Sequence, residues 1–190
     1  MKLAACYLNM NNQLLIPTGW NNNPSSWPQR IPLIIMSFAG FCIAMYLAFY
    51  QLHIVKNVWD PFFGKDTEKV LTSKLSRKFP IPDSLLGAFS YLCDLILQSI
   101  GKIDRWRSQS WIVLLLGVVV CLFALTSILL VLAQIFLIHA LCTLCLTSAM
   151  ISLIIAVLAK TEVLVTIKFL QIKKQKTGSF WKAIFEDGEV

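Results

Sequence analysis

This sequence predicts an all-α membrane protein, a polytopic four-helix bundle with a long outer loop or cap between helices 1 and 2. Three observations lead there. Hydrophobic residues make up 57% of the chain and charged ones 14%, with a mean hydropathy of +0.69, whereas a soluble domain carries about a quarter charged residues. From Ser108 to Ala159 there is no Asp, Glu, Lys or Arg. One crossing takes roughly 20 helical residues, so that run must fold back on itself, near Gln134 to His139. Just past the turn lies Leu141-Cys142-Thr143-Leu144-Cys145-Leu146, a Cys-x-x-Cys set in apolar sequence.

The elements follow in order. Residues 1–30 read as an irregular arm: Asn21-Asn22-Asn23-Pro24-Ser25-Ser26-Trp27-Pro28 interrupts any continuous signal sequence, and Trp20 and Trp27 are placed to anchor at a membrane interface. The four-helix transmembrane domain, residues 31–159, starts with a first span over about 31–53, with Tyr46, Phe49 and Tyr50 gathered at its far end. Val55 to Phe79 is polar and mixed in charge, too long for a tight connection and too aromatic for disorder; it reads as a folded cap. Pro80-Ile81-Pro82-Asp83-Ser84 starts the second span (82–100), with Asp83 or Ser84 as N-cap. Asp94 inside that span is expected to pair with Lys102 or Arg105 near the surface. The third and fourth spans cover about 111–133 and 138–159. From 160 to 190 a basic tail alternates lysines with Val, Ile, Phe and Leu, as a helix lying on the membrane surface would; a solvated extension of the last helix is the alternative.

A net charge of +7 could suggest nucleic acid, but the cations cluster at the ends of apolar segments, as membrane anchoring requires, and no nucleic-acid partner is expected. Placing both termini and the second–third loop in the cytoplasm puts Lys2, Arg30, Lys102, Arg105, Arg107, Lys160, Lys168, Lys173, Lys174, Lys176 and Lys182 on that side. Lys56, Lys65, Lys69, Lys74, Arg77 and Lys78 fall opposite. Eleven against six favours this orientation in a multi-pass plasma (inner) membrane. It sets Cys142 and Cys145 at the outer, periplasmic face, in the oxidising compartment that disulfide chemistry needs.

Six cysteines do not make a secreted framework here. Cys42, Cys93 and Cys121 fall inside apolar helices, where a thiol acts as a small hydrophobe, and Cys6 has no evident partner. Only Cys142 and Cys145 have redox spacing: i, i+3 on one helical face, at a helix N-terminus that favours the Cys142 thiolate. They are the catalytic candidates. A metal site of Cys142, Cys145 and His139 lacks an apparent fourth ligand, and none is expected.

Several motifs carry a resemblance. Val70-Leu71-Thr72-Ser73-Lys74, Pro80-Ile81-Pro82, Leu86-Gly87-Ala88 with Tyr91, Trp59-Asp60-Pro61-Phe62-Phe63-Gly64, Arg105-Trp106-Arg107 and Cys142-Thr143-Leu144-Cys145-Leu146 together resemble the vitamin K epoxide reductase family, in a bacterial branch, over roughly Pro24 to Lys160. The resemblance implies a quinone-linked thiol–disulfide oxidoreductase. Electrons would pass through the Cys142/Cys145 pair to a membrane quinone of the ubiquinone or menaquinone type. Cys145 would face the quinone ring and Cys142 would exchange disulfides, with a thioredoxin-like thiol partner implied. Ser73 matches the loop Ser/Thr associated with the active site, and Asp83 falls where members carry a polar residue near the quinone head group; Ser73, Asp83 and Cys145 are thus the cofactor-binding candidates. One departure stands out. Members that oxidise other proteins carry a second cysteine pair in the outer loop, and between Val55 and Phe79 there is none; Thr67 stands about where the second loop cysteine would be. That absence keeps open a non-catalytic scaffold binding quinone or lipid.

Overall fold

The computed structural model describes residues 16–17, 22–60, 62–73 and 82–177. Cys6, Trp20, Pro61, Lys74, Pro80, Ile81 and Lys182 lie outside them. Every regular element among the described residues is helical: α1 (Trp27–Gln51), α2 (Gly64–Leu71), α3 (Asp83–Ser99), α4 (Arg105–Ser108), α5 (Ser110–Ala133), a π-helical turn (Gln134–Ile138) and α6 (Thr143–Thr177).

Three segments are long and apolar enough to cross a membrane: Trp27–Gln51, Ser110–Ile138 and Thr143–Gln175. Their outer faces agree, with Ile35, Phe38, Val118, Leu122, Leu125, Leu129, Met150 and Val157 all exposed. A surface so continuously apolar suits lipid rather than water. The protein is a multi-pass membrane protein. α3 has 17 residues, about 26 Å, and is not among the three.

α1 starts at Trp27, one turn before the expected Ile31, with Pro28 in the first turn, where the missing N–H costs nothing. Its buried residues Leu33, Ser37, Gly40, Ala44, Leu47 and Ala48 recur every three or four positions and so share one face. That face packs along α3 and α6, and α5 packs along α6 and α3. Leu33, Ala44, Ala88, Tyr91, Leu116, Val120, Ile155 and Ala159 form the shared core. Tyr91 sets the spacing: its ring stands edge-on to Phe123 at 4.6 Å and lies so close over Gly40 that a Cβ there would overlap it.

The fold-back falls at the expected place. α5 widens into the π-helical turn and stops at His139, in the left-handed conformation (φ 52°). α6 then runs unbroken for 35 residues, about 52 Å against a hydrocarbon core of about 30 Å. Lys160 to Thr177 continue α6 instead of opening a separate helix.

At the end of the bundle far from the cysteines, Arg30 and Arg105 are both fully buried. Charge counting treats them as surface anchors; the structure uses them as ties. Arg105 Nε and Nη2 donate to the two carboxylate oxygens of Glu162 at 2.6 Å each, and Ser25 Oγ donates to the same carboxylate. Arg105 Nη1 donates to the carbonyls of Leu97 (2.8 Å) and Ile100 (3.0 Å). Arg30 donates to Gln98 (2.8 Å from Nε), Ile100 (2.7 Å) and Gly101 (3.1 Å), with its guanidinium 4.5 Å from the Trp27 ring. These are the carbonyls a helix C-terminus leaves without intrahelical partners. Two arginines therefore close the short α3 from below. Asp94, expected to pair with Lys102 or Arg105, instead accepts from the Ser37 hydroxyl on α1 and makes no salt bridge. Arg105 is instead engaged with Glu162, and Asp94 faces Ser37 of α1.

Candidate active site

Cys142 is the residue immediately before the first helical residue of α6, so its sulfur lies among the unpaired amides of the first turn. The Cys145 N–H points at Cys142 Sγ (3.1 Å), a contact that favours the Cys142 thiolate whenever the pair is reduced. The two cysteines form a disulfide, their Cα atoms 5.2 Å apart, within the usual range for such bridges. Their exposures differ. Cys142 is fully buried, packed with Val70 of α2 and Ala140, whereas Cys145 is only partly covered.

Cys145 opens onto a cavity enclosed by α1, α3, α5, α6 and the end of α2. Its walls are mostly apolar, including Leu47, Val70, Phe123 and Leu130, with Ser73, Asp83, Ser127, Gln134 and Ser148 as polar points. A mainly apolar cleft with a few polar groups is what a flat ring carrying carbonyls at its ends requires. Ser73, Asp83 and Cys145, singled out from sequence on three separate segments, line this one cavity. Cys142 does not line it. Asp83 is the first residue of α3 rather than its N-cap, which is Pro82; it accepts from the Gln51 side-chain amide and the Ser84 N–H, binding the end of α1 to the start of α3.

Two residues that sequence reading passed over organise the site. Asp60, named from sequence only as part of the Trp59-Asp60-Pro61-Phe62-Phe63-Gly64 motif, accepts four hydrogen bonds. Phe62 and Phe63 N–H reach one oxygen at 3.0 Å each; Thr67 Oγ1 (2.6 Å) and Thr143 N–H (3.0 Å) reach the other. One carboxylate thus ties the turn before α2, and Thr67 within it, to the first residue of α6, and holds the cap helix against the redox pair. Partial burial pushes its pKa up, but the hydrogen bonds from Thr143, Thr67, Phe63 and Phe62 outweigh that and keep it well below the usual carboxylate range. Thr67, at the position of the missing loop cysteine, is fully buried and serves this clasp. Buried Gln134, in the π-helical turn, accepts from Cys142 N–H at 3.4 Å. An Asp just before an aromatic-Gly helix start is an available N-cap signal; nothing in the sequence marks Gln134. His139 borders a shallow groove with Phe63 and Asp66, and no group of three His, Cys, Asp or Glu among the described residues could hold a metal.

The model of the vitamin K epoxide reductase family matches residues 31–160, which takes in all four long helices as far as Lys160, the cap and both cysteines. The chain belongs to the vitamin K epoxide reductase family. Proteins of this family are generally oxidoreductases associated with quinones. Comparison with curated proteins finds no match to the chain.

Proposed function

We propose that the protein passes electrons from an external thiol through Cys142 and Cys145 to a membrane quinone, of the ubiquinone or menaquinone type, bound in the cavity beside Cys145. The observation that carries this reading is the shared lining of that cavity by Cys145, Ser73 and Asp83 while Cys145 is bonded to Cys142. In the same reading α3 is a fourth crossing, short because Arg30 and Arg105 hold its lower carbonyls. Both termini are cytoplasmic, and the cap and cysteines face outward.

The residues divide the work. A thiolate from a thioredoxin-like partner attacks Cys142, forming a mixed disulfide and freeing Cys145. The amides of the first turn of α6 hold the Cys142 sulfur as thiolate once it is released. Ser73 and Asp83, which line the cavity with Cys145, orient the ring and keep its carbonyls within reach of hydrogen-bond donors. A quinone bound there supplies the two-electron acceptor. Because Cys142 lies beneath the cap, the partner must displace α2 to reach it. Purified, dithiothreitol-reduced protein should reduce a soluble quinone analogue and re-form its disulfide, and Cys145→Ala should abolish both. Wild-type protein no faster than that variant would sink the reading.

Burial of Cys142 and the lack of loop cysteines favour a second reading, a quinone- or lipid-binding scaffold with the same fold. Cysteines found permanently reduced and unreactive in cells would support it.

A further inference from the structure

Between the cavity and the arginine pair, the buried face of α3 carries three polar side chains, Tyr91, Asp94 and Gln98, at 0%, 2% and 0% exposure. Spaced i, i+3 and i+7, they fall on one stripe of the helix. The upper end joins the cavity: Tyr91 Oη hydrogen-bonds the Ser148 carbonyl (2.6 Å) and lies 3.1 Å from Ser148 Oγ, and Ser148 lines the cavity with Cys145. The lower end joins the ion network, through Arg105 Nη2 on Gln98 Oε1 at 3.3 Å. Asp94 sits between, bonded to Ser37 through one oxygen, with its other oxygen and the Gln98 side-chain nitrogen both buried outside hydrogen-bond geometry. Asp94 is close enough to Tyr91 and Arg105 to act on both electrostatically. A carboxyl group in the middle of a membrane bundle is costly and calls for a function, and the disulfide chemistry uses none of these groups.

We infer that Asp94 is the proton-carrying station of a relay from the cytoplasmic end of the bundle to the quinone cavity, and that the oxidoreductase thereby moves charge across the membrane. This rests on the function proposed above. Two external thiols give up two electrons and two protons to become a disulfide, and their protons stay outside. The quinone takes the two electrons through Cys145 and two protons through Ser148, Tyr91 and Asp94 from the inner side. Atoms and electrons balance as two thiols plus quinone giving disulfide plus hydroquinone. Two charges are separated per turnover because the protons released and consumed lie on opposite sides.

The test uses full-length protein in sealed vesicles holding a pH dye, with decylubiquinone in the bilayer. Reduced glutathione, which does not cross bilayers, is added outside so that only copies with outward cysteines turn over; the Cys145→Ala background is subtracted. Wild type should alkalinise the lumen by two protons per quinone reduced. Asp94→Asn should lose that alkalinisation and Asp94→Glu should restore it. Quinone reduction by wild type without lumenal alkalinisation overturns the relay and leaves the oxidoreductase standing. No quinone reduction overturns both. The wild-type measurement decides the charge movement by itself; alkalinisation retained in Asp94→Asn, or in Asp94→Ser where the first variant fails to fold, overturns the assignment to Asp94.

Discussion

The two ends of the bundle are held by different physics. At the lower end, buried Arg30, Arg105 and Glu162 join residues far apart in sequence through charge-assisted bonds. At the upper end, a single carboxylate, Asp60, clasps a short cap helix over Cys142 through bonds to two backbone amides nearby, one hydroxyl and one amide of α6. Removing one partner from a buried ion pair leaves an uncompensated charge and costs about 3–5 kcal/mol. Removing a capping side chain costs about 0.5–2 kcal/mol. The lower end therefore fixes the bundle, while the upper end can open without dismantling it, as access to Cys142 demands.

The largest expected effect tests the first half of that contrast. Arg105→Met strands Glu162 and removes the guanidinium bond to the Leu97 carbonyl, so stability should fall by about 3–5 kcal/mol, measured by thermal unfolding in detergent. The double variant Arg105→Met with Glu162→Gln should recover part of the loss. Wild-type stability in the single variant would mean the network is not what fixes this end. Gly40→Ala comes next. The added methyl meets the Tyr91 ring, and overpacking of this kind costs about 1–3 kcal/mol, read in the same assay; an unchanged midpoint would show that α1 and α3 can part freely.

Legibility in the sequence followed the same divide. The long spans, the fold-back near Gln134 to His139 and the redox pair are written in local pattern: a charge-free run, helix length and cysteine spacing. Ser73, Asp83 and Cys145 were picked out because each sits in a short motif of the family, and motifs survive without knowledge of packing. Arg30, Arg105 and Asp94 were misjudged because their partners lie on other helices. A cation at a helix end looks identical in sequence whether it faces headgroups or a buried glutamate. Asp60 is half legible, its motif visible but its bond to Thr143, 83 positions on, not.

Asp60→Ala carries the contrast to the upper end. Loss of the clasp should cost about 1 kcal/mol and spend that cost on cap opening rather than on the bundle. The midpoint of unfolding should barely move, while a maleimide should label Cys142 of the reduced protein several-fold faster; an effect of 1.4 kcal/mol would be tenfold. Equal labelling of variant and wild type would show that something other than Asp60 keeps the cap shut.

The smallest effect is the pH dependence of the same clasp, and its sign is fixed by the acidity of Asp60. Its folded-state pKa lies well below the ordinary value, which is about 3.9 for an unfolded aspartate. The folded state therefore binds the proton more weakly than the unfolded chain does. The clasp's contribution is fully present above the unfolded value and declines as pH falls below about 5 towards the folded one. Cap opening, followed by amide hydrogen exchange across α2 and corrected for intrinsic rates, should rise in wild type as pH is lowered from 6 to 3. Asp60→Asn, which keeps an acceptor oxygen but has no charge to lose, should open more at pH 6, and the gap to wild type should narrow without closing as pH falls to 3. A gap between the two that stayed constant over that interval would assign the hold of the cap to apolar packing of Val70 on Cys142 and Ala140, and not to the carboxylate.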